Sequence, residues 1–436
     1  MLFTTNKIGI IADDLTGAND SALQFFMKGS VTRILLDTRD LPSASDDTQV
    51  WALPTESRNI DADLAIEKVK TAIETMQQLG VEYFYKKIDS TLRGNIAKET
   101  LTFIDVLEYD TAIILPAFPL EGRTTVGGYH LLRGVPIQKT EFALDPHYPI
   151  CDSHLPTMLK KQLPEDKAEL VGTIGLDVVM KGAGPILIAL NEQVAQGKKL
   201  IVVDAVSEVD IEQTALAINK SHHKILPCGS AGLAQALTGI WLNDNKEEEL
   251  VEKPKLPKRP RLVISGSATE LVGYQIQKLI ECGEFDNVHN IALSAEDIFN
   301  EDVEKIVQMA LPLLENDNTV IIHSSDINVK EKSFGQFLFD KEISLKEFIS
   351  KIVNYLANIT TKLVSEKDLD LILIGGETSY VCTNRINSHH LQVADAITQA
   401  VPLCVDNKGQ YLVTKSGNLG TLSTLIDILK YFKTHE

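Results

Sequence analysis

The chain has 436 residues, of which 44% are hydrophobic and 23% are charged, close to the averages of globular proteins. Glycine and proline together make up only about a tenth of the residues, which excludes collagen-like, disordered and low-complexity chains. The formal net charge of −18 predicts no nucleic-acid partner and no anionic membrane surface, because each would repel so acidic a protein.

The length and the N-terminal sequence predict a multidomain cytoplasmic protein. At roughly 150 residues per domain, two large domains or three small ones are expected. The apolar runs are far shorter than the roughly 18 residues that span a bilayer, so no membrane helix is expected. The first residues lack the basic region, apolar stretch and cleavage site of a signal peptide. The five cysteines are scattered without a C-x-x-C pair, as is typical of reduced thiols.

The segment 243–261 predicts a linker, since it contains three prolines, dense charge of both signs and no apolar periodicity. On both sides of it, short apolar segments alternate with amphipathic ones, the pattern of parallel α/β layers. We therefore predict an α/β fold with two domains, residues 1–242 and 262–436. Each is expected to be a mainly parallel sheet flanked by helices, and this charged, proline-rich linker would join them.

The strands of the first domain are predicted at residues 8–12, 33–37, 50–53, 83–88, 112–115 and 200–203. Helices are predicted at residues 20–28, 61–79 and 96–107. Gly29 and Gly80 follow two of these helices, where a left-handed cap is common. The strands of the second domain are predicted at residues 262–264, 320–323, 371–374 and 411–413.

Ligands of open α/β sheets bind at the carboxyl ends of the strands, so the residues that follow each apolar segment are candidates for chemistry. Asp13 and Asp14 follow the first strand in IADDLTGAND. Two adjacent acids there can bind a polyol, coordinate a cation or accept a proton from a hydroxyl group. The alternative is that one of them only caps the next helix.

Further polar strand ends occur in the first domain. The segment KKIDSTLRGN contains Asp89, Ser90, Thr91 and Arg93. Arg93 can bind a carboxylate or a phosphate through two hydrogen bonds, although an ion pair with an acidic neighbour is the more common role of an arginine. Arg123 lies in PAFPLEGRTTVGG, a Gly- and Thr-rich segment that a surface turn would also explain. Arg58 follows the third predicted strand and is a further candidate.

Three loops of small residues occur in the second domain: SGSAT from Ser265, GGETS from Gly375 and KSGNLG from Lys415. Such loops let backbone N–H groups approach phosphate oxygens, and a helix N-terminus adds a favourable dipole. Three of them in one domain predict a nucleotide site. None fits G-x-x-x-x-G-K-[ST] or G-x-G-x-x-G, so neither a P-loop nor a dinucleotide fingerprint is present.

Two other constellations are not expected to carry chemistry. IADDLTG lacks the nucleophile of aspartyl-phosphate phosphatases, because Ala12 stands two residues before Asp14. His147, Cys151 and His154 have spacings that zinc could use, but no fourth ligand is evident. We therefore predict no metal site formed by the protein alone.

Together these segments resemble the four-carbon acid sugar kinases, which use ATP to phosphorylate the terminal hydroxyl of acids such as threonate, erythronate or 3-oxo-tetronate. The resemblance covers nearly the whole chain and rests on IADDLTGAND, KKIDSTLRGN, PAFPLEGRTTVGGYHLLRGVPI, SGSAT, GGETS and KSGNLG, in this order. It implies that the N-terminal domain holds the acid sugar and that the C-terminal domain holds ATP.

The resemblance also implies which residues bind each ligand. The implied substrate residues, with Arg123 added by us, are Asp14, Arg58, Asp89, Ser90, Thr91, Arg93 and Arg123. The implied nucleotide residues, with Ser265 and Gly420 added by us, are Ser265, Ser267, Gly375, Gly376, Glu377, Thr378, Gly417 and Gly420. The family commonly has K-S-G-G-F-G where this chain has Asn418 and Leu419, so phosphate binding would depend on Gly417 and Gly420.

A mechanism follows as a hypothesis. Asp14 is expected to be the base for the 4-hydroxyl, with Asp13 as the second candidate. Arg93 or Arg58 would bind the substrate carboxylate, since a guanidinium matches its planar geometry, and Asp89 and Ser90 would bond to the inner hydroxyls. Mg²⁺ on the ATP phosphates is the implied cofactor. The domains are expected to close for the transfer, because they would hold different substrates.

Two alternatives remain open from the sequence. The first is a kinase for another small hydroxy acid, such as 4-hydroxythreonine. The second is a non-catalytic sensor of a nucleotide or a sugar acid, which would need no base. The sequence does not specify which four-carbon acid or stereoisomer is used, and a homo-oligomer is one option for the assembly.

Overall fold

A computed structural model describes residues 7–39, 41–43, 46–145, 148–242, 253–267, 269–329, 331–398 and 400–436. The chain divides into two compact units. The first contains the described residues up to 34 and from 41 to 242, and the second contains residues 35–39 and those from 253 onward. Residues 243–252 of the predicted linker, His147 and Ala268 lie outside the described residues. The described remainder of the linker, residues 253–260, contains neither helix nor strand.

The strands of the first unit are β1 (Lys7–Ala12), β2 (Thr32–Leu35), β3 (Val50–Pro54), β4 (Val81–Lys87), β5 (Thr111–Leu115), β6 (Arg123–Val126), β7 (Tyr129–Leu132), β8 (Val135–Pro136), β9 (Val171–Ile174), β10 (Leu200–Val203) and β11 (Ile225–Gly229). Its main sheet has the order β2-β3-β1-β4-β11-β5-β10-β9, and every pair in it is parallel. The short strands β6, β7 and β8 form a separate antiparallel sheet.

The helices of the first unit are α1 (Leu15–Phe26), α2 (Ala62–Gln78), α3 (Ile96–Leu107), α4 (Leu155–Lys161), α5 (Leu176–Val179), α6 (Ala183–Ala195), α7 (Glu208–Lys220) and α8 (Ala231–Trp241). Helix α3 shows why these segments are helical, because its buried residues recur every three or four positions at Ile96, Thr100, Phe103 and Leu107. This spacing places them on one face, and α3 contacts β5, β10 and β11 of the sheet.

The strands of the second unit are β12 (Arg261–Ser265), β13 (Val288–Ala292), β14 (Thr319–His323), β15 (Asp370–Ile374), β16 (His390–Thr398), β17 (Val401–Asp406) and β18 (Tyr411–Lys415). They follow the order β13-β14-β12-β15-β18-β17-β16. The first five strands pair in parallel, whereas β17 is antiparallel to both β18 and β16.

The helices of the second unit are α9 (Glu270–Glu281), α10 (Ala295–Asn300), α11 (Val303–Ala310), α12 (Lys332–Asp340), α13 (Leu345–Glu366), α14 (Gly376–Arg385) and α15 (Thr424–His435). Apolar side chains of β12, β14, β15 and β18 form one buried cluster with those of α9 and α15. This packing holds the parallel strands in place, so their carboxyl ends form one edge. No helix among the residues that the structure describes is long and apolar enough to cross a membrane.

The predicted α/β class with mainly parallel sheets is confirmed. Each of the ten predicted strands forms, with end shifts of at most two residues. The predictions missed β6, β7, β8, β9, β11, β13, β16 and β17. They were also wrong about the start of α1, which begins at Leu15 and not at Asp20, because the polar run Asn19–Ser21 is buried within the helix and masks its periodicity.

Candidate active site

The carboxyl ends of β1, β3 and β4 lie side by side in the first unit, because β1 pairs in parallel with both β3 and β4. Asp13 and Asp14 follow β1, Arg58 comes shortly after β3, and Asp89 comes shortly after β4. All four are largely removed from solvent. The topology thus brings together charged side chains that are far apart in the sequence, as ligand sites of such sheets require.

Arg58 is the centre of this group, which we call the Arg58 cluster and define as Asp13, Asp14, Arg58 and Asp89. Its Nε and Nη2 donate to the two carboxylate oxygens of Asp13 at 2.8 and 2.9 Å, and its Nη1 donates to Asp14 at 2.7 Å. Its Nη2 also lies 4.0 Å from an Asp89 oxygen. Burial alone would lower the pKa of Arg58, but these carboxylates raise it well above its usual value.

Asp14 caps the helix that follows it, which is one of the two roles that the sequence suggested. Its Oδ1 accepts a hydrogen bond from the Gly17 amide at 2.8 Å and so caps α1, while its Oδ2 accepts from Thr16 at 2.7 Å. Burial would raise the pKa of Asp14, but Arg58 and Lys87 hold it below the usual value. Asp14 is therefore an ionised carboxylate at neutral pH.

The loop after β4 is held in shape by Asp89. Its Oδ2 accepts hydrogen bonds from Thr91 Oγ1 at 2.5 Å and from Arg93 Nε at 2.6 Å. Arg93 Nη1 also donates to Asp145 at 3.0 Å, so Arg93 forms ion pairs with two acidic residues, the more common role of an arginine. Between them, Leu92 has a φ of 67°, a left-handed conformation that costs energy in a residue with a side chain. Such strained loops are common at functional sites.

His130 fixes the same loop from the antiparallel sheet, and the sequence did not indicate this. Its Nε2 lies 2.8 Å from the Ser90 carbonyl oxygen, and its Nδ1 lies 3.0 Å from Thr125 Oγ1. Because a carbonyl oxygen only accepts, Nε2 carries the hydrogen and Nδ1 accepts from Thr125. A lone histidine on a short strand has no signal in sequence, since only the fold places it beneath Ser90.

We expect His130 to make folding pH-dependent. Burial lowers its pKa to about 4, so the unfolded chain binds this proton near pH 6.5 whereas the folded chain does not. The free energy of unfolding should therefore fall as the pH drops from 6.5 to 4, by about 3 kcal/mol for this group. Urea denaturation at several pH values would measure the free energy of unfolding of the wild type and of His130→Gln. If that free energy falls equally steeply with decreasing pH in both proteins between pH 6.5 and 4, the prediction is wrong.

Arg123 and two unpredicted residues form a second buried polar group. Arg123 Nη1 donates to the backbone and side-chain oxygens of Glu121 at 2.9 and 3.3 Å. Asp20 is buried, which raises its pKa to about 6, and it lies near Lys87 and Arg123. Lys87 ends β4, and its Nζ donates to the Ile88 carbonyl oxygen at 2.8 Å. Arg123 is thus engaged by Glu121 instead of by the Arg58 cluster.

In the second unit, the loops after β12, β15 and β18 meet, because β15 pairs in parallel with both β12 and β18. The Gly375 amide donates to the Lys415 carbonyl oxygen at 2.8 Å, which joins the second loop to the third. Thr269 Oγ1 donates to the Gly417 carbonyl oxygen at 3.0 Å and lies 3.0 Å from Ser267 Oγ, which joins the first loop to the third.

Two glycines are required where these loops approach one another. A Cβ atom at Gly266 would lie 2.5 Å from Thr378 Oγ1, and a Cβ atom at Gly417 would clash with Ser267 Oγ. Thr378 lies in the first turn of α14, whose N-terminus therefore faces the same loops. The backbone N–H groups of such loops can approach a phosphate closely.

The remaining predicted nucleotide residues have different surroundings. Ser265 is the buried last residue of β12, Gly376 begins α14, and Glu377 is exposed. The nearest atoms to a Cβ at Gly420 belong to Thr424 at the start of α15. Lys415, which the sequence placed in the third loop without a role, is buried, and its Nζ donates to the Ser416 carbonyl oxygen at 2.7 Å. Burial lowers its pKa to about 7.

Comparison with known proteins adds independent findings. Residues 8–237 match a family model described as a sugar-binding N-terminal domain, and residues 262–425 match one described as a nucleotide-binding C-terminal domain. The chain is 29% identical over 438 residues to a D-threonate kinase of Salmonella typhimurium, with 98% of each chain covered. It is 26% identical over 450 residues to a D-erythronate kinase of Heliobacterium modesticaldum, again with 98% of each chain covered.

A solved protein structure from Salmonella typhimurium LT2 has a similar fold. It is 23% identical in sequence, and the match has a TM-score of 0.78 over 98% of this chain and 99% of that one. At this identity the likeness concerns the fold alone.

Proposed function

Because the chain belongs to the four-carbon acid sugar kinase family, whose members are phosphotransferases with an alcohol group as acceptor, we propose that it phosphorylates the terminal 4-hydroxyl of such an acid with ATP. D-threonate and D-erythronate are the first candidates, since they are named for relatives matched over 98% of their length. The observation that carries the proposal is the Arg58 cluster, which places buried carboxylates and an arginine at three neighbouring strand ends.

We assign the acid sugar to the first predicted domain, residues 1–242, and the nucleotide to the second, residues 262–436. The matches to a sugar-binding and a nucleotide-binding family model support this assignment. The charges support it as well, because a polyhydroxy acid offers hydroxyl donors to carboxylates such as Asp89 and one carboxylate to an arginine.

Arg93 and Arg58 are the candidates for binding the substrate carboxylate. The hydrogen bonds of Arg93 to Asp89 and Asp145 engage two of the five N–H groups of a guanidinium, so others can bind a ligand. Asp89 and Ser90 would bond to the inner hydroxyls. Thr91 supports Asp89 through its hydroxyl, and Arg123 would contribute positive charge from the neighbouring polar group.

Asp14 is our candidate for the base, and Asp13 is the second. As the bond from the 4-oxygen to phosphorus forms, the hydroxyl proton passes to the Asp14 carboxylate, and the bond from phosphorus to ADP breaks. Phosphoryl transfer depends mainly on positioning and charge neutralisation, so a carboxylate with a lowered pKa is adequate for this step.

The three loops of the second unit fit the phosphates of ATP. The loops approach one another closely at Gly266 and Gly417, and Lys415 adds a buried amine whose charged form an anion would favour. Mg²⁺, when bound, would neutralise phosphate charge. Among the described residues no three His, Cys, Asp or Glu side chains are arranged as a metal site. We therefore propose that ATP itself supplies most of the oxygen ligands.

A coupled assay of ADP release tests the proposal. Mg-ATP would be supplied with D- and L-threonate, D- and L-erythronate, 3-oxo-tetronates and 4-hydroxythreonine. We expect turnover that depends on a four-carbon acid. Turnover with 4-hydroxythreonine alone would favour a different hydroxy acid kinase. No ADP release, combined with thermal stabilisation by both an acid and ATP, would favour the sensor.

A further inference from the structure

A cavity of about 440 Å³ lies in the second unit, outside the three phosphate-binding loops. It opens at the carboxyl ends of β13 and β14, between the segments that follow these strands and helix α12. Its walls include Leu293, Asp326, Ile327, Phe334 and Phe337. The size is within the range of small-molecule sites, and the walls are mainly apolar with a few polar groups, as such sites usually are.

The cavity and the phosphate-binding loops share one edge of the sheet. β14 lies between β13 and β12, and β12 ends in the loop that contains Ser267. Backbone hydrogen bonds continue past the strand ends, from Leu293 N to His323 O at 2.8 Å and from Ser324 N to Ser265 O at 3.1 Å. With neighbouring strands about 4.8 Å apart, the cavity is about 10 Å from the junction of β12 and β15. An extended nucleotide spans a distance of this order between its base and its β-phosphate.

The aromatic wall of the cavity is held in place by its own packing. Phe337 is stacked on Phe334, with ring centroids 6.2 Å apart and an angle of 19°. The rings of Phe299 and Phe348 contact Phe337 edge-on at 6.3 and 5.9 Å. The Phe337 ring is half-buried and held by these contacts, and Lys341 Nζ lies 5.7 Å from its centroid. The cavity wall thus has a fixed aromatic side chain against which a planar base can pack.

Asp326 places a carboxylate at the cavity, where ribose hydroxyls can donate hydrogen bonds to it. It follows β14, the strand next to β12, and its side chain is 68% exposed. In dinucleotide-binding sheets, an acidic side chain close to the phosphate-binding turn accepts hydrogen bonds from ribose hydroxyls. Asp326 thus follows the strand next to the loop that contains Ser267, and it lines the same cavity as Phe337.

We propose that this cavity binds the adenosine part of ATP, with Phe337 against the adenine ring and Asp326 bonded to the ribose hydroxyls. The inference rests on the proposed function, because it names the part of the same nucleotide site that the three loops do not supply. It assigns roles to residues that neither the sequence motifs nor the Arg58 cluster includes.

The test compares ADP with inorganic tripolyphosphate, which has the phosphates but no adenosine. Isothermal titration would measure the affinity of each for the wild type and for Phe337→Leu, which keeps an apolar side chain but removes the ring. Asp326→Asn is the second variant, and its exposed position makes it safe for folding. Phe339→Ala is the matched control, since Phe339 lies on the same helix, is 78% exposed and is not part of the cavity wall.

We expect each cavity variant to bind ADP about tenfold more weakly, with unchanged affinity for tripolyphosphate. Phe339→Ala should change neither affinity. If the wild type binds ADP and both cavity variants bind it equally well, the inference is wrong while the proposed function stands. If the wild type binds neither ADP nor ATP, the proposed function fails and the inference fails with it.

Discussion

Replacing Asp14 by asparagine should lower kcat by about 10²- to 10⁴-fold, the usual contribution of a general base. The amide that replaces the Asp14 carboxylate cannot accept the proton of the 4-hydroxyl at neutral pH. Its oxygen can still accept the hydrogen bond from Gly17 that caps α1, so the fold should be kept. Coupled ADP release would measure kcat, and titration with ADP should show an unchanged affinity.

Asp14→Ser and Asp13→Asn are the controls for this result. Serine also caps helices, so Asp14→Ser separates the loss of a carboxylate from the loss of the cap. Asp13 is bound by two nitrogens of Arg58, and its substitution tests the second candidate for the base. Turnover of Asp14→Asn close to that of the wild type, together with a large loss for Asp13→Asn, would transfer the role to Asp13.

Replacing Arg58 by methionine should lower the free energy of unfolding by about 3–5 kcal/mol. The change removes the partner of Asp13 and Asp14 and a positive charge near Asp89, and it leaves these carboxylates buried. An uncompensated buried charge is much more costly than a missing surface ion pair. The transition of the first unit in urea at pH 7 would measure the loss.

The pH dependence of this loss identifies its cause. In the wild type, the lowered pKa values of Asp14 and Asp89 mean that their stabilising effect decreases as the pH falls through those values. In Arg58→Met the carboxylates should bind protons more readily in the folded state. The free energies of unfolding of the wild type and the variant should therefore differ less at low pH. If their difference in free energy of unfolding stays constant from pH 7 to pH 4, the loss comes from packing instead of unpaired charge.

Lys70→Met is the matched control for Arg58→Met. Lys70 also donates to a carboxylate, that of Glu67 at 2.9 Å, and it lies in the first unit, but the two side chains are 45% and 70% exposed. Exposed ion pairs contribute little, because water solvates both charges almost as well. We expect little change in the unfolding transition, and an effect as large as that of Arg58→Met would contradict the argument from burial.

Most of the fold could be predicted because its signals are local. Apolar runs such as those of β5 and β15 are buried on both faces and stand out against polar flanks. The missed strands lack this contrast. β11 contains Pro227, and β16 is a half-buried antiparallel strand that carries charged and polar residues. Their place in the sheet depends on the neighbouring strands and not on their own composition.

The amino-acid sequence by itself determined the α/β class and the strand ends that carry Asp13, Asp14, Arg58 and Asp89. Apolar periodicity, and the polar residues that end an apolar segment, are properties of short stretches of sequence. Only the tertiary structure decided that Arg58 joins three carboxylates, that His130 holds the Ser90 loop and that Phe337 lines a cavity at the ends of β13 and β14. These contacts join residues from separate strands and helices. Their distances and burial follow from sheet order and packing, which no single segment encodes.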